Sequence, residues 1–275
     1  MKNKLAVFTA SFLFVLFSIA LGHIAMSVVE KYCFEYQNIA SLIFFVIGFI
    51  FLFSTKFGIY DGIWQNIGGV FGGLFIWTGL EYSFIFCAQR FNIQPSSNGS
   101  DPEYLIMEWS WGVFILIFAY LLFQESVRCS LIFWLRKKMR LMKNKVATGK
   151  IYNYGPRVAM EYATITWSGY LACMIVFDEQ IFGAFHPATY ILFVVTGLSW
   201  LYTAWRAFKQ VKFGSMMRWI IPTVIIFWTA FLEIIPKWGG FIQPWETGNW
   251  YVMGSIVAAF LFTAYLFISH RANVR

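Results

Sequence analysis

The chain has 275 residues, 59% of them hydrophobic and 21% aromatic, with only 12% charged and a net charge of +8. A soluble domain carries roughly twice that charged fraction, so the composition excludes an ordinary globular protein and points to a polytopic, all-α membrane protein. Apolar runs approaching the ~20 residues that cross a ~30 Å hydrocarbon core recur along the sequence.

Eight transmembrane helices are expected, at about 5–29, 39–53, 63–87, 109–131, 158–177, 189–205, 219–235 and 250–269. The first follows "MKNK", a charged start that a signal peptide would share. Its apolar stretch outruns the ~7–15 residues of a signal sequence and no A-x-A site closes it, so it is expected to be retained. The second is short and open to extension at either end. The third holds "GGVFGG" (Gly68–Gly73), read as a close-packing surface because it lies within a span. It also holds "FIWTGLEYSF", which sets Glu81 in an apolar frame. The loop that follows carries Gln94 and an N-G-S sequon at Asn98. At the inner end of the fourth span, Glu125 is expected to pair with Arg128.

A basic loop comes next, with eight Lys and Arg residues between Arg136 and Arg157. Spans five and six follow. The seventh has Pro222 near its start and then "IFWTAFLEII", with Glu233 in a frame like that of Glu81. The loop before span eight carries Gln243. With both termini in the cytoplasm, 17 of the 21 Lys and Arg residues fall on inner segments. The charge is therefore a topology signal, and no nucleic-acid partner is expected. The run "RKKMRLMKNK" is expected against anionic headgroups, at ~1 kcal/mol per basic residue. A plasma or inner membrane suits this pattern.

Short matches recur in order at nearly constant spacing. "FFVIG" at 44 pairs with "FVVTG" at 193, and "AMSVVE" at 25 with "CMIVFD" at 173. Trp77-Thr78 pairs with Trp228-Thr229 at an offset of 151, and Leu80-Glu81 with Leu232-Glu233 at 152. "IQP" recurs at 93 and 242, and "AYL" at 119 and 264. The chain is expected to be two parallel four-helix repeats, residues 1–145 and 146–275, split in the basic loop.

An ionisable group in hydrocarbon costs at least ~2.5–3.5 kcal/mol and usually faces a bundle interior or a wet cavity. Glu81 and Glu233, at matched depth on spans three and seven, are therefore the candidate site for a proton, ion or substrate. Trp77 and Trp228 would wall it, and Gln94 and Gln243 would stand at its mouth. The competing reading is structural, with Glu81 near the headgroups and Glu233 paired to Lys237. His23 and His186 have no metal-ligand spacing and read as ordinary surface residues; no metal or cofactor is expected. Cys33, Cys87, Cys129 and Cys173 form no C-x-x-C, and small apolar packing is their default, ahead of a Cys33–Cys87 disulfide.

Three functions fit. A small-solute or proton-coupled carrier using the paired glutamates stands first. A membrane-embedded enzyme acting on a lipid, isoprenoid or quinone-like substrate is second, with the glutamates as general acid and base. The third is a non-catalytic subunit of a larger membrane complex. Against the carrier, the sequence offers no helix interruption beyond Pro222.

Overall fold

The computed structural model describes residues 4–93, 102–124, 130–141, 153–241, 244 and 249–272, and every regular element among them is helical. The helices are α1 (Lys4–Tyr32), α2 (Gln37–Ser54), α3 (Ile63–Arg90), α4 (Pro102–Trp109), α5 (Trp111–Phe123), α6 (Ser130–Lys138), α7 (Gly155–Phe177) and α8 (Pro187–Lys209). Then α9 (Phe213–Phe227) runs through a π-helical turn (Trp228–Ile234) into α10 (Ile235–Gly239), and α11 (Trp250–Ala272) closes the order.

Six helical stretches are long and apolar enough to cross a membrane: α1, α2 extended to Phe57, α3, α8, the α9–α10 rod and α11. The two other expected spans differ for different reasons. The one at 109–131 is divided: α5 has only 13 residues and ends at Gln124, and a separate α6 starts at Ser130. At 1.5 Å per residue, α5 reaches only about 20 Å. The expected Glu125–Arg128 pair lies outside the described residues. The other, at 158–177, is helical throughout as α7, but Arg157, Glu161 and a series of threonines and serines dilute its hydropathy.

Local chemistry explains the ends. Pro156 and Pro187 stand in the first turns of α7 and α8, where a missing N–H costs nothing. The His186 ring caps α8 by accepting from Ala188 N at 3.2 Å. At the far end of α9–α10, Gly240 adopts φ 64° and stops the helix in a left-handed turn.

Helices α1, α3, α7 and α9 contribute most of the shared core, and Phe14, Val70, Tyr162, Ile220 and Ile221 are buried there. Helix α2 packs on α3 and α8 packs on α9, each keeping one long apolar face exposed; α11 lies on α1, and α4 on α3 and α7. The glycines of α3 make the close approach expected of them. A Cβ on Gly69 would stand 2.6 Å from Val158 Cβ, and one on Gly73 would stand 2.8 Å from Tyr162 Cβ.

The rod from Phe213 to Gly239 passes Pro222 as a continuous α-helix, and its irregularity comes later. Pro236 has no N–H to offer and its ring crowds the carbonyl four residues back, at Leu232. The π turn spans Trp228–Ile234, directly before that proline, and includes the crowded carbonyl.

Candidate functional site

Four helices bring polar side chains to the centre of the bundle. Helix α1 supplies Gly22 and His23, α3 supplies Trp77, Thr78 and Glu81, and α7 supplies Tyr162, Thr166, Gly169 and Tyr170. The π turn after α9 supplies Trp228, Thr229 and Glu233.

Glycines set the spacing. A Cβ on Gly22 would meet Leu74 Cδ1 at 3.0 Å and Thr78 Oγ1 at 3.2 Å. A Cβ on Gly169 would meet Thr229 Oγ1 at 2.7 Å and Ile225 Cγ2 at 4.0 Å. Each of α1 and α7 thus touches its neighbour through a glycine, a threonine and an aliphatic side chain.

The aromatic groups cross between these pairs. Trp77 of α3 stacks on Tyr170 of α7 at 5.6 Å and 19°. Trp228 stacks on His23 of α1 at 5.4 Å and 1°. His23 Nε2 and the Tyr170 hydroxyl share a hydrogen bond of 2.7 Å, which ties the two stacks together. Trp228 Nε1 donates to Glu233 Oε1 at 2.6 Å. In an α-helix, residues five apart point about 140° from each other, and it is the wider π turn that brings 228 and 233 to one side.

Two small voids lie in this layer, each of about 10 Å³. One borders Glu81 with His23, Trp77, Thr78 and Tyr162; the other borders Glu233 with Trp228, Thr229 and Cys173. Ile19, Thr166 and Tyr170 line both. A void of about this size holds one water. Glu81 is buried at 4% exposure and Glu233 is partly buried.

Of the residues expected from sequence, Glu81, Trp77, Glu233 and Trp228 therefore line adjoining voids. Gln94 and Gln243 lie outside the described residues. Lys237 places its ammonium over the Phe177 ring at 5.8 Å. Cys33, Cys87 and Cys173 are free thiols.

Sequence reasoning missed several members. His23 reads as a surface group in the sequence, yet it stacks on Trp228 and bonds to Tyr170. The two are 147 residues apart in sequence and differ in type, so no local pattern links them. Two ties at the ends of the layer also went unseen. At one end Arg218 grips Asp61 through both nitrogens, reaches Asn66 Oδ1 at 3.2 Å and lies over Tyr154 at 4.2 Å. That joins the α2–α3 turn to α9. At the other end Glu108 of α4 lies close to Asp178, which follows α7. Burial and the Asp178 charge together raise the Glu108 carboxyl above its ordinary 4.5.

No family model matches this chain, and no curated protein or solved structure shows significant similarity to it.

Proposed function

We propose that this polytopic membrane protein is a proton-coupled carrier of two parallel four-helix repeats, in which Glu81 and Glu233 bind and release the coupling proton. The observation that carries the reading is the pair of water-sized voids, one beside each glutamate, that adjoin at Ile19, Thr166 and Tyr170. A proton needs only waters and hydroxyls to move between two carboxylates, and the His23–Tyr170 bond stands between them. Voids of about 10 Å³ fit water and not an isoprenoid chain, which places the carrier ahead of the lipid enzyme at this site. The state is occluded. The Asp61–Arg218 and Glu108–Asp178 ties are the contacts that would open alternately at the two membrane faces.

Several contacts support the repeat. Gly22 with Leu74 and Thr78 has the counterpart Gly169 with Ile225 and Thr229, at sequence offsets of 147 and 151. The slip from 151 to 152 falls inside the π turn, which accommodates one extra residue. An irregular helix at the site is also what carriers use to present groups to a solute or ion.

The test needs no knowledge of the solute. Proteoliposomes adsorbed on a solid-supported membrane are given a pH jump, and the displaced charge is recorded. The wild type is expected to give a transient current that Glu81→Gln and Glu233→Gln each reduce and the double variant abolishes. A folded double variant with the wild-type current, or a wild type with none, would sink the proposal.

A further inference from the structure

A second feature lies away from the glutamates, where α6, the start of α7, the end of α8 and the start of α9 meet. There a vestibule of about 640 Å³ is walled by Lys137, Lys138, Arg140, Arg157 and Arg206. Arg157 is engaged by Glu161 at 3.1 Å, so that pair is neutral, and four cations remain uncompensated by any described ion pair. The Arg206 guanidinium lies over the Trp219 ring at 5.0 Å, and its buried Nε has no hydrogen-bond partner among the described residues. The planar donor fork and the cation cluster suit a phosphate.

The vestibule does not end at the charges. Trp134, Tyr202 and Trp219 line it and also line an adjoining cleft of about 180 Å³. Its other walls include Ile165, Ser199, Thr203, Pro222 and Ile226, and its lining is almost wholly apolar. Glu161 and Arg218 also border the cleft, but each carries its own counter-ion, Arg157 and Asp61. A cleft of that size is many times the void that admits one water, room for a length of hydrocarbon chain. Beyond it, the exposed apolar face of α8, with Val194, Leu198 and Leu201, offers the path a chain would follow. By the distribution of basic residues this end faces the cytoplasm, where anionic lipids collect.

The geometry points to a site for one anionic phospholipid, its phosphate held in the basic vestibule and one acyl chain in the apolar cleft. An inorganic or sugar phosphate would satisfy the cations but leave the cleft unused. A zwitterionic lipid would fill the cleft but bring a choline or amine against the cations. The site is independent of the proton chemistry proposed above.

The test uses the full-length protein in detergent with phosphatidic acid, phosphatidylcholine of the same chains, or inorganic phosphate. Native mass spectrometry counts retained lipid and thermal melting reads stabilisation. The wild type is expected to retain one phosphatidic acid, to prefer it to phosphatidylcholine, and to show no shift with inorganic phosphate. Exchanging the exposed Lys137, Lys138 and Arg140 together for Gln is expected to weaken phosphatidic acid on the order of 100-fold, at ~1 kcal/mol per cation. Ser199→Phe, which plugs the cleft and leaves the cations in place, is expected to lose the lipid as well. Equal retention by the wild type and the triple variant would overturn the proposal, as would undiminished binding to Ser199→Phe. Stabilisation by inorganic phosphate equal to that by lipid would also overturn it and leave a soluble anion site.

Discussion

The same wording, Trp-Thr followed by Leu-Glu, occurs in two helices that treat it differently. In α3, Trp77 and Glu81 are four apart in a regular α-helix and share a face by ordinary periodicity. After α9, Trp228 and Glu233 are five apart, and a π turn keeps them together at 2.6 Å. Backbone regularity is what differs, and the face presented to the central voids is what stays. If the two helices are copies of one unit, the extra residue that would have turned the carboxylate away is absorbed as a local widening.

Single-residue deletions break this comparison most sharply. Removing Ala230 shortens the Trp228–Glu233 spacing to four and lets the π turn close into an α-helix, so every residue beyond keeps its face. Removing Gly79 gives α3 no such slack, and everything beyond it turns by about 100°. Glu81, Tyr82, Ile85 and Ala88, all buried, would rotate off their partners. The Ala230 deletion is expected to elute as a single species and melt near the wild type, and the Gly79 deletion to give no folded protein. If both fail alike, the π turn is not an absorbed insertion.

A smaller effect separates the two aromatic stacks. Trp228→Phe keeps a ring against His23 but removes the donor to the Glu233 carboxyl, a bond worth about 1.5–3 kcal/mol when that carboxyl is ionised. Tyr170→Phe keeps the ring beside Trp77 and removes the bond to His23, about 1 kcal/mol. Melting in detergent at neutral pH is expected to rank the wild type above Tyr170→Phe and that above Trp228→Phe. The reverse order would mean that His23–Tyr170, rather than Trp228–Glu233, is the stronger polar tie in the layer.

What the sequence made legible was whatever is written as periodicity or identity. Long apolar runs located six of the spanning helices, and paired acids in apolar frames located Glu81 and Glu233. Glycines inside α3 announced close packing. Complementary pairs were harder to read, because His23 and Tyr170 differ in type and lie 147 residues apart. Long-range ties were harder still: Asp61 and Arg218 are 157 residues apart, and nothing in either neighbourhood names the other. The split of the expected fourth span into α5 and α6 was invisible because its sequence is apolar up to Phe123 and again around Ile132 and Phe133, and hydropathy does not register a break in direction.

The smallest of the expected effects concerns the tie at the end opposite Asp61–Arg218. There two carboxyls, Glu108 and Asp178, lie close together, and Glu108 is raised above 4.5 by burial and by its neighbour's charge. A carboxyl that holds its proton more tightly folded than unfolded adds stability that is full below the unfolded value and lost as pH rises through the raised one. Wild-type stability should therefore fall from pH 4.5 towards neutrality by an amount that Glu108→Gln removes, since the amide keeps a donor towards Asp178 at every pH. The difference between the two melting curves isolates this pair from the other titrating groups. Screening by nearby water keeps the amplitude modest. A difference that grows in the opposite direction, with the wild type gaining on the variant as pH rises, would mean that both carboxyls are ionised in the folded protein. The α4–α7 contact would then be held by its other bonds, among them the one Trp167 Nε1 donates to Ser110 Oγ at 3.0 Å.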